Sequence, residues 1–551
     1  MSKFTEKNTT EKYLSKELIP LTQTPGKWIE ESQILPITEN DEENFLQFLE
    51  DIKPRPLSSN PNIISLPNVI NALPPLIKDK NDSKIENSAP IKNFPENSTN
   101  FIKSFRSGTR SVIIKAKEYS TNEFNSLENK ENLWIIAKNA EKIFIPNENG
   151  ETLLRLKGCG MWTQKNPMKF PSIYLMNREC YRSDKDANKK YIEIRGFNSI
   201  NSSARELLAL RETKFFFDKF NILIGNFPLG FWIYQNLPND PAQNIEKCVC
   251  VMKTLADKRL ETHFICGSEK LLLNLINQKD CETLMKKLEN FYNNFNLKLP
   301  NKINSTFKRA NDLNFYKISE SIKNIRFEFS KPSIDNFEEE LKTGGFLNSS
   351  EILKFFTNFP KLHTMSLIYA EIGYEIGKFL SIFHRSGNNW GTFYNDDIRM
   401  IDSNAHADNI IILERKKVKE RFQKEKSLQF FSMVDFDQIV RPEIAINVWE
   451  GKIKKEPEIC TEFFWVELEC FCNDLGGIAT EKQFFYNIPK RNHPEGNYYN
   501  LLFVLRDVII FEFMMSYVDP NRKRTFEIED KIDECYDFIE SCLDLTQDFE
   551  A

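Results

Sequence analysis

The chain has 551 residues, with 74 Lys and Arg against 79 Asp and Glu, and 40% of its residues are hydrophobic. This length exceeds one small domain, because domains typically span roughly 100–200 residues. The formal net charge of −5 provides no excess of basic residues for neutralising phosphates, so we expect no nucleic-acid partner. The most apolar stretch, 504–518, contains Arg506, Asp507 and Glu512, which predicts a buried helix and no membrane span.

Cysteine and histidine patterns narrow the setting further. The 11 cysteines contain no C-x-x-C pair and the 5 histidines no H-E-x-x-H motif, which argues against a disulfide framework, a zinc knuckle or a metallohydrolase. Residues 1–16 are polar and of mixed charge, so we expect no cleaved targeting segment. These features favour a reducing, cytoplasmic compartment, with delivery into a host cell as an open alternative.

The first part of the chain differs in texture from the rest. Residues 1–105 are rich in Pro, Asn and Ser, which predicts a largely disordered tail because too little apolar surface is available for burial. The runs 142–146 and 152–157 flank the turn sequence Asn-Glu-Asn-Gly and are predicted to pair as a hairpin. Further strands are predicted at 111–117, 133–137, 191–195, 231–235 and 247–253.

Helical patterns dominate after about residue 256. One helix is predicted before that point: an S-x-x-E box at Ser203 and Glu206 marks its start, and it ends near Phe220. The later helices are predicted at 268–277, 281–295, 348–356, 367–384, 460–472, 499–517 and 526–545. Strands with one helix, followed by a helical half, predict an α+β, two-lobed protein. We place the tail at 1–105, the β-rich lobe at 106–255 and the helical lobe at 256–551.

A lysine at the end of a strand and a glutamate on a helix form the first candidate for chemistry. Lys157 ends the run 152–157, and Glu206 lies in the first turn of the predicted helix. Such a pair holds an ammonium group against nucleotide phosphates in kinase-like sites. The alternatives are a solvated strand lysine and a glutamate that only completes a helix cap.

A second candidate combines two carboxylates with an amide. Asp408 and Asn409 precede the apolar run 410–413, and Asp435 follows another apolar run. Phosphoryl or nucleotidyl transfer uses a carboxylate near the attacking hydroxyl and oxygen ligands for Mg²⁺. The alternative is an ordinary polar turn before a strand.

Five short segments lie in a set order along the chain: LKGCG, NSSARELLAL, VCVMKTLADKRLETHF, ADNIIIL and VDFD. Together they resemble motifs of the selenoprotein O family of kinase-fold proteins, over roughly residues 150 to 440. The resemblance implies a bilobal protein-kinase-like fold, with a small β-rich N-lobe that carries one key helix and a larger helical C-lobe. It also implies transfer of AMP from ATP to Ser, Thr or Tyr hydroxyls of protein substrates, with Mg²⁺ or Mn²⁺ as cofactor.

The resemblance also implies roles for individual residues. Lys157 and Glu206 would form the ion pair, and Asp408 would act as the base. Asp437 stands where the family has Gly, so either Asp435 alone or both carboxylates would bind the metal. Lys253 stands where the family has Arg. The nucleotide would be held by Lys157, Gly158, Gly160, Lys253 and Arg259, and the metal by Asn409, Asp435 and Asp437.

Other functions of the same fold stay open at this point. They are ordinary γ-phosphoryl transfer, ligation through an adenylate such as glutamylation, and a catalytically silent pseudokinase scaffold. Residues 414–426 form a basic insertion between the candidate site residues. This composition favours a solvated helix or hairpin extension over a docking site for an acidic partner. The tail is the other segment that would dock a partner.

Overall fold

A computed structural model of the chain describes most residues from 102 onward. The predicted tail therefore lies outside the described residues, except for 102–105. The described residues are 102–105, 111–128, 137–138, 142–158, 174–179, 190–195, 198–199, 206, 210, 217–218, 220–233, 247–325, 332, 334–385, 390, 393–395, 400–402, 405–436, 459–476 and 496–546.

Antiparallel strands form the first part of the described structure. Their bounds are β1 Ile102–Phe105, β2 Ser111–Ser120, β3 Ala137–Lys138, β4 Lys142–Pro146, β5 Thr152–Lys157, β6 Tyr174–Glu179, β7 Lys190–Arg195, β8 Asn198–Ser199, β9 Asn226–Ile233 and β10 Lys247–Thr254. One sheet has the order β3-β4-β2-β5-β10-β8, with β1 also paired to β2 and β9 to β10, whereas β6 and β7 pair separately. The strands predicted at 111–117, 191–195 and 247–253 are confirmed, and 231–235 overlaps the end of β9. The strand predicted at 133–137 lies outside the described residues except for Ala137, which begins β3.

The hairpin predicted from 142–146 and 152–157 is wrong in its pairing, although both strands are present. Strand β2 lies between β4 and β5 and pairs antiparallel with each of them. The chain crosses over β2 at Gly150, where an added Cβ would overlap the Ala116 backbone. A local turn signal predicts neighbouring strands, but here a more distant strand supplies the hydrogen-bonding partner for both.

Helices form most of the remainder. Their bounds are α1 Thr121–Asn125, α2 Cys266–Leu275, α3 Gln278–Asn293, α4 Thr306–Asn311, α5 Phe315–Ile325, α6 Phe337–Thr343, α7 Ser349–Phe356, α8 Pro360–Arg385, α9 Arg415–Glu425, α10 Ile459–Gly476, α11 Asn497–Val518 and α12 Ile532–Asp544. The helices predicted after residue 256 are confirmed with shifted ends, and α4, α5 and α6 were not predicted. The helix predicted from Ser203 is described only in part, and Glu206 has helical backbone.

Helices α8 and α11 lie at the centre of the helical part. Both are buried on nearly all sides, so they lack the single apolar stripe of a surface helix. They approach closely at Gly377, where an added Cβ would overlap the Phe513 carbonyl. The Arg506 guanidinium inside α11 donates to Glu269 Oε1 at 2.6 Å, which compensates the burial of both charges. The buried helix predicted for 504–518 is confirmed. No described helix is long and apolar enough to cross a membrane.

The basic insertion 414–426 forms helix α9. A helix was one of the two structures predicted for it, the other being a hairpin extension. Short strands flank it: β13 (Ile410–Ile412) before it and β14 (Phe431–Met433) after it, and the two pair antiparallel. Basic side chains of α9 pair with acidic ones of α12, including Arg415 with Asp537 and Lys419 with Asp533. An acidic partner of this segment therefore lies within the same chain.

These elements define a mixed α+β protein that is mostly helical and carries a small antiparallel sheet. Two further short strands, β11 (Phe393–Asn395) and β12 (Met400–Asp402), pair with each other. The main sheet supplies Lys157, and the β13–β14 pair supplies the second group of candidate residues. The fold therefore positions the candidate site where these two parts meet.

Candidate active site

Lys157 and Glu206 meet in the interior of the protein. Lys157 is the last residue of β5, and its side chain is only 4% exposed. Its Nζ lies 3.0 Å from Glu206 Oε2, and the Glu206 side chain is 1% exposed. The two residues are 49 positions apart in the chain. The structure thus brings together the two side chains that were predicted to pair, and it places the Glu206 carboxylate against an ammonium group.

Asp435 is the second carboxylate on the same ammonium group. Its Oδ1 contacts Lys157 Nζ, and its side chain is 25% exposed, which makes it the most open member of the trio. Its φ angle is +68°, a left-handed conformation that costs a non-glycine residue roughly 1 kcal/mol or more. Its carbonyl oxygen accepts a hydrogen bond from Trp390 Nε1 at 3.2 Å. The surrounding fold therefore imposes a strained backbone that holds Asp435 beside Lys157.

Asp408 lies in a short 3-10 turn, Ala407–Asn409, immediately before β13. Two side chains from the connection after β10 bind it. Arg259 Nη1 donates to the Asp408 carbonyl oxygen at 2.8 Å, and Thr262 Oγ1 donates to Asp408 Oδ1 at 2.8 Å. The predicted phosphate contact of Arg259 stays a prediction, since in this structure its guanidinium binds a main-chain oxygen and is largely buried.

Asn409 stands next to Asp408 and close to β14, the strand that precedes Asp435. Its Nδ2 lies 3.2 Å from His406 Nε2, and its carbonyl oxygen accepts a hydrogen bond from Val434 N at 2.9 Å. The β13–β14 pairing thus links the Asp408–Asn409 turn to the residue before Asp435. Three of the residues predicted for transfer chemistry are gathered at one end of this strand pair.

Lys253 is not brought to this group. In the β5–β10 register Cys250 lies opposite Lys157, whereas Lys253 lies opposite Leu154. Because side chains alternate between the two faces of a sheet, Lys253 and Lys157 point to opposite faces. Lys253 Nζ instead pairs with Glu118 Oε2 at 2.9 Å. The predicted joint phosphate contact of Lys253 and Lys157 finds no support in this geometry.

The remaining predicted residues concern the loop after β5 and the metal set. Gly158 has a φ angle of +104°, which side chains rarely tolerate, so glycine suits the sharp turn after Lys157. Gly160 and Asp437 lie outside the described residues.

The residues predicted to bind the metal provide few donor atoms of their own. In the described ranges no group of three or more His, Cys, Asp or Glu side chains could hold a metal ion. Mg²⁺, however, is commonly bound through one or two carboxylates together with substrate phosphates and water. Asp435 supplies a partly exposed carboxylate, and Asn409 supplies an amide oxygen near the same strand pair. These residues fit a cation that shares its ligands with a nucleotide.

Sequence reasoning missed the residues that support this site from helix α10. Glu467 Oε1 accepts a hydrogen bond from Trp390 N at 2.5 Å, and Asp474 accepts one from Ala407 N. Residues seven positions apart lie on one face of a helix, so one face of α10 holds two backbone segments of the site. Glu467 and Asp474 are two of four acidic residues in this largely apolar helix, so their spacing alone did not single them out, and their partners lie in distant parts of the chain.

The assembled site has a buried ammonium group between two carboxylates, with Asp408 and Asn409 in the turn before β13 nearby. Ammonium groups and divalent cations at such positions can stabilise negative charge that develops on phosphate oxygens. No family model, no curated protein and no solved structure matches this chain.

Proposed function

We propose that this chain is an ATP-dependent nucleotidyltransferase of a bilobal protein-kinase-like fold, which transfers AMP to hydroxyl groups of proteins. The proposal is carried by one observation, the Lys157 ammonium group buried between the carboxylates of Glu206 and Asp435. In kinase-like sites a strand lysine paired with a helix glutamate and an aspartate that holds Mg²⁺ are both required for activity.

The location of this trio supports a site between two lobes. Lys157 belongs to the antiparallel sheet, whereas Asp435 follows the β13–β14 pair of the helical part. Their contact bridges 278 positions in the chain. A nucleotide bound here would touch both parts at once, as the resemblance to the selenoprotein O family implies.

Each residue has a defined task in the proposed reaction. Lys157 would bind phosphate oxygens, and Asn409 and Asp435 would hold Mg²⁺ or Mn²⁺, which screens the negative charge of the phosphates. The acceptor hydroxyl oxygen forms a bond to the α-phosphorus, and the bond from that phosphorus to the bridging oxygen breaks. Pyrophosphate leaves, and the hydroxyl proton moves to the Asp408 carboxylate.

The choice of AMP over phosphate follows from the family resemblance. The Lys157–Glu206–Asp435 trio is equally suited to γ-phosphoryl transfer or to ligation through an adenylate, because each uses Mg²⁺ and ATP. The position of the label in the transferred group separates these reactions.

The test incubates the full-length chain with Mg²⁺ and ATP labelled on either the α- or the γ-phosphate, in the presence of a protein extract. We expect α-label on protein from the wild-type chain, and at least a hundredfold less from Asp435→Asn. Asp530→Asn, at an exposed position just before α12, is the matched control and should retain wild-type transfer.

The other outcomes lead to different conclusions. Transfer of γ-label alone would identify a kinase, and release of AMP without stable label would indicate ligation. Absence of both labels, together with no rise in melting temperature on adding Mg²⁺ and ATP, would favour the scaffold.

A further inference from the structure

A π-helical turn, Leu260–Ile265, connects β10 to α2, and all six of its residues are buried. Such turns are rare and are frequent at functional sites. The turn is fastened at its start, because Arg259 N donates to His263 Nδ1 at 2.9 Å. Arg259 also forms a β-bridge with Ile411 of β13. The turn is therefore fixed against the strand that begins right after the Asp408–Asn409 turn.

The same segment holds Asp408 at two points. Arg259 binds the main-chain oxygen of Asp408, and the Thr262 hydroxyl donates to its carboxylate, each at 2.8 Å. Thr262 and Asp408 are 146 positions apart and both are less than a tenth exposed. One contact locates the backbone of Asp408, and the other sets the orientation of its carboxylate.

The residue type suits this task. A threonine has a restricted χ1 angle, so the backbone of the turn determines where its hydroxyl points. In regular helices this hydroxyl often bonds the carbonyl one turn earlier. In this π-helical turn the Thr262 hydroxyl donates to Asp408 instead.

We infer that Thr262 is a positioning residue, whose hydroxyl aims the Asp408 carboxylate at the protein hydroxyl that accepts AMP. This inference rests on the proposed function, in which Asp408 takes the hydroxyl proton. The resemblance assigned roles to Arg259 and Asp408 but none to Thr262. A displaced base slows transfer without weakening nucleotide binding, because Thr262 contacts Asp408 and lies outside the Lys157–Glu206–Asp435 trio.

The first test compares Thr262→Val, which keeps the shape and removes the donor, with Thr262→Ser, which keeps the donor. We expect Thr262→Val to lower kcat for transfer of α-label about ten- to a hundredfold, with KM for ATP within about twofold of wild type. Thr262→Ser should recover most of kcat. A wild-type kcat for Thr262→Val, or a Thr262→Ser variant no better than Thr262→Val, would overturn the inference.

Thr306 provides a matched control, because its buried hydroxyl also donates to an aspartate, Asp507, away from the site. Thr306→Val should lower the melting temperature and leave kcat per folded molecule unchanged. If both valine variants lose kcat in proportion to their loss of melting temperature, Thr262 has only a structural role and the inference is wrong.

A second measurement does not depend on activity. Thr262→Val, Asp408→Asn and the double variant form a double-mutant cycle, read out as melting temperature. If the two residues share a hydrogen bond, the double variant should lower the melting temperature by less than the sum of the two single variants. Additive shifts would overturn the inference. If the melting-temperature shifts are non-additive but the wild-type chain transfers no label, the Thr262–Asp408 contact is upheld. The proposed function is then wrong, and the role of Thr262 in it is wrong as well.

Discussion

Two groups of ion pairs in this molecule join distant segments but differ in their surroundings. In the Lys157–Glu206–Asp435 trio the lysine and glutamate side chains are 4% and 1% exposed. In the contact between α9 and α12 the Arg415 and Asp537 side chains are 31% and 71% exposed. Buried ions lose hydration, and their attraction often fails to compensate, whereas exposed pairs cost and contribute little.

This difference bears on function. A buried charged trio is a poor means of stabilising a fold, because apolar side chains of similar size do as well or better. The Arg506–Glu269 pair is equally buried, so burial alone does not mark a site; the trio differs because its third member, Asp435, is 25% exposed, which leaves room for a ligand beside the ammonium group. The exposed pairs between α9 and α12 need no such explanation, since they fix a surface helix through weak contacts.

The largest expected effect comes from removing the buried cation. Lys157→Met removes the buried ammonium group from beside two carboxylates and should destabilise the protein by about 3–5 kcal/mol. It should also lower AMP transfer at least a hundredfold. The double variant Lys157→Met/Glu206→Gln should regain part of the melting temperature and none of the activity. Recovery of both would show that Lys157 acts through stability alone. Lys317→Met, on an exposed pair with Glu340, is the control.

The next prediction concerns the support of Asp435. Trp390→Phe removes the indole N–H that binds the Asp435 carbonyl oxygen, and it leaves that oxygen without this donor. We expect a loss of stability of about 1–3 kcal/mol and a roughly tenfold loss of transfer. Trp465→Phe, at a partly buried tryptophan on α10, should leave transfer unchanged. Equal effects of the two variants on transfer would remove Trp390 from the account of the site.

The third prediction concerns how the stability of the protein depends on pH, through a carboxyl group on α8. Glu375 accepts hydrogen bonds from Phe430 N and Phe431 N at 2.7 and 2.8 Å, at the start of β14. Burial holds the pKa of Glu375 well above its ordinary value of 4.5, and neighbouring Glu371 raises it further. Above about pH 4.5 the unfolded chain loses the Glu375 proton, whereas the folded protein keeps it. Glu375 therefore makes the folded state less stable as pH rises above about 4.5.

Glu375→Gln tests this by thermal melting between pH 5 and pH 8. The variant loses one backbone hydrogen bond and should melt below wild type at pH 5. The difference in melting temperature should become smaller toward pH 8, because wild type loses stability as pH rises through the raised pKa of Glu375 and the glutamine variant does not. A gap that is constant with pH would contradict the assignment. Glu289→Gln, on the exposed face of α3, should follow wild type throughout.

The smallest expected effect lies in the exposed pairs. Arg415→Ala removes contacts with Asp533, Asp537 and Glu540 of α12 and should lower the melting temperature by less than about 2 °C. The difference from wild type should shrink further in 0.5 M salt, because salt screens exposed charges. A large, salt-independent loss would show that this contact resembles the buried trio after all.

Local patterns in the sequence predicted the long helices, several strands and the residues of the site. Lys157, Glu206, Asp408, Asn409 and Asp435 were all named from spacing and from the family resemblance, and the structure places them in two adjoining groups. The buried character of α11 followed from its apolar run. These features depend on neighbours in the chain, which is why the sequence alone indicates them.

Features that depend on distant pairing were not predictable in the same way. The interposed strand β2 replaced the expected hairpin, and the β5–β10 register put Lys253 on the other face of the sheet. Thr262 and Trp390 act through partners 146 and 45 positions away. No local pattern specifies such register or contacts, because they arise only when separate elements pack together.

The most direct test of the central claim is calorimetric titration of the full-length chain with ATP, with and without Mg²⁺. We expect saturable binding that requires Mg²⁺, that is abolished by Lys157→Met and that is retained by Lys317→Met. Absence of binding by the wild-type chain, or equal binding by the Lys157→Met variant at a temperature where it is folded, would contradict the claim that the buried trio is a nucleotide site.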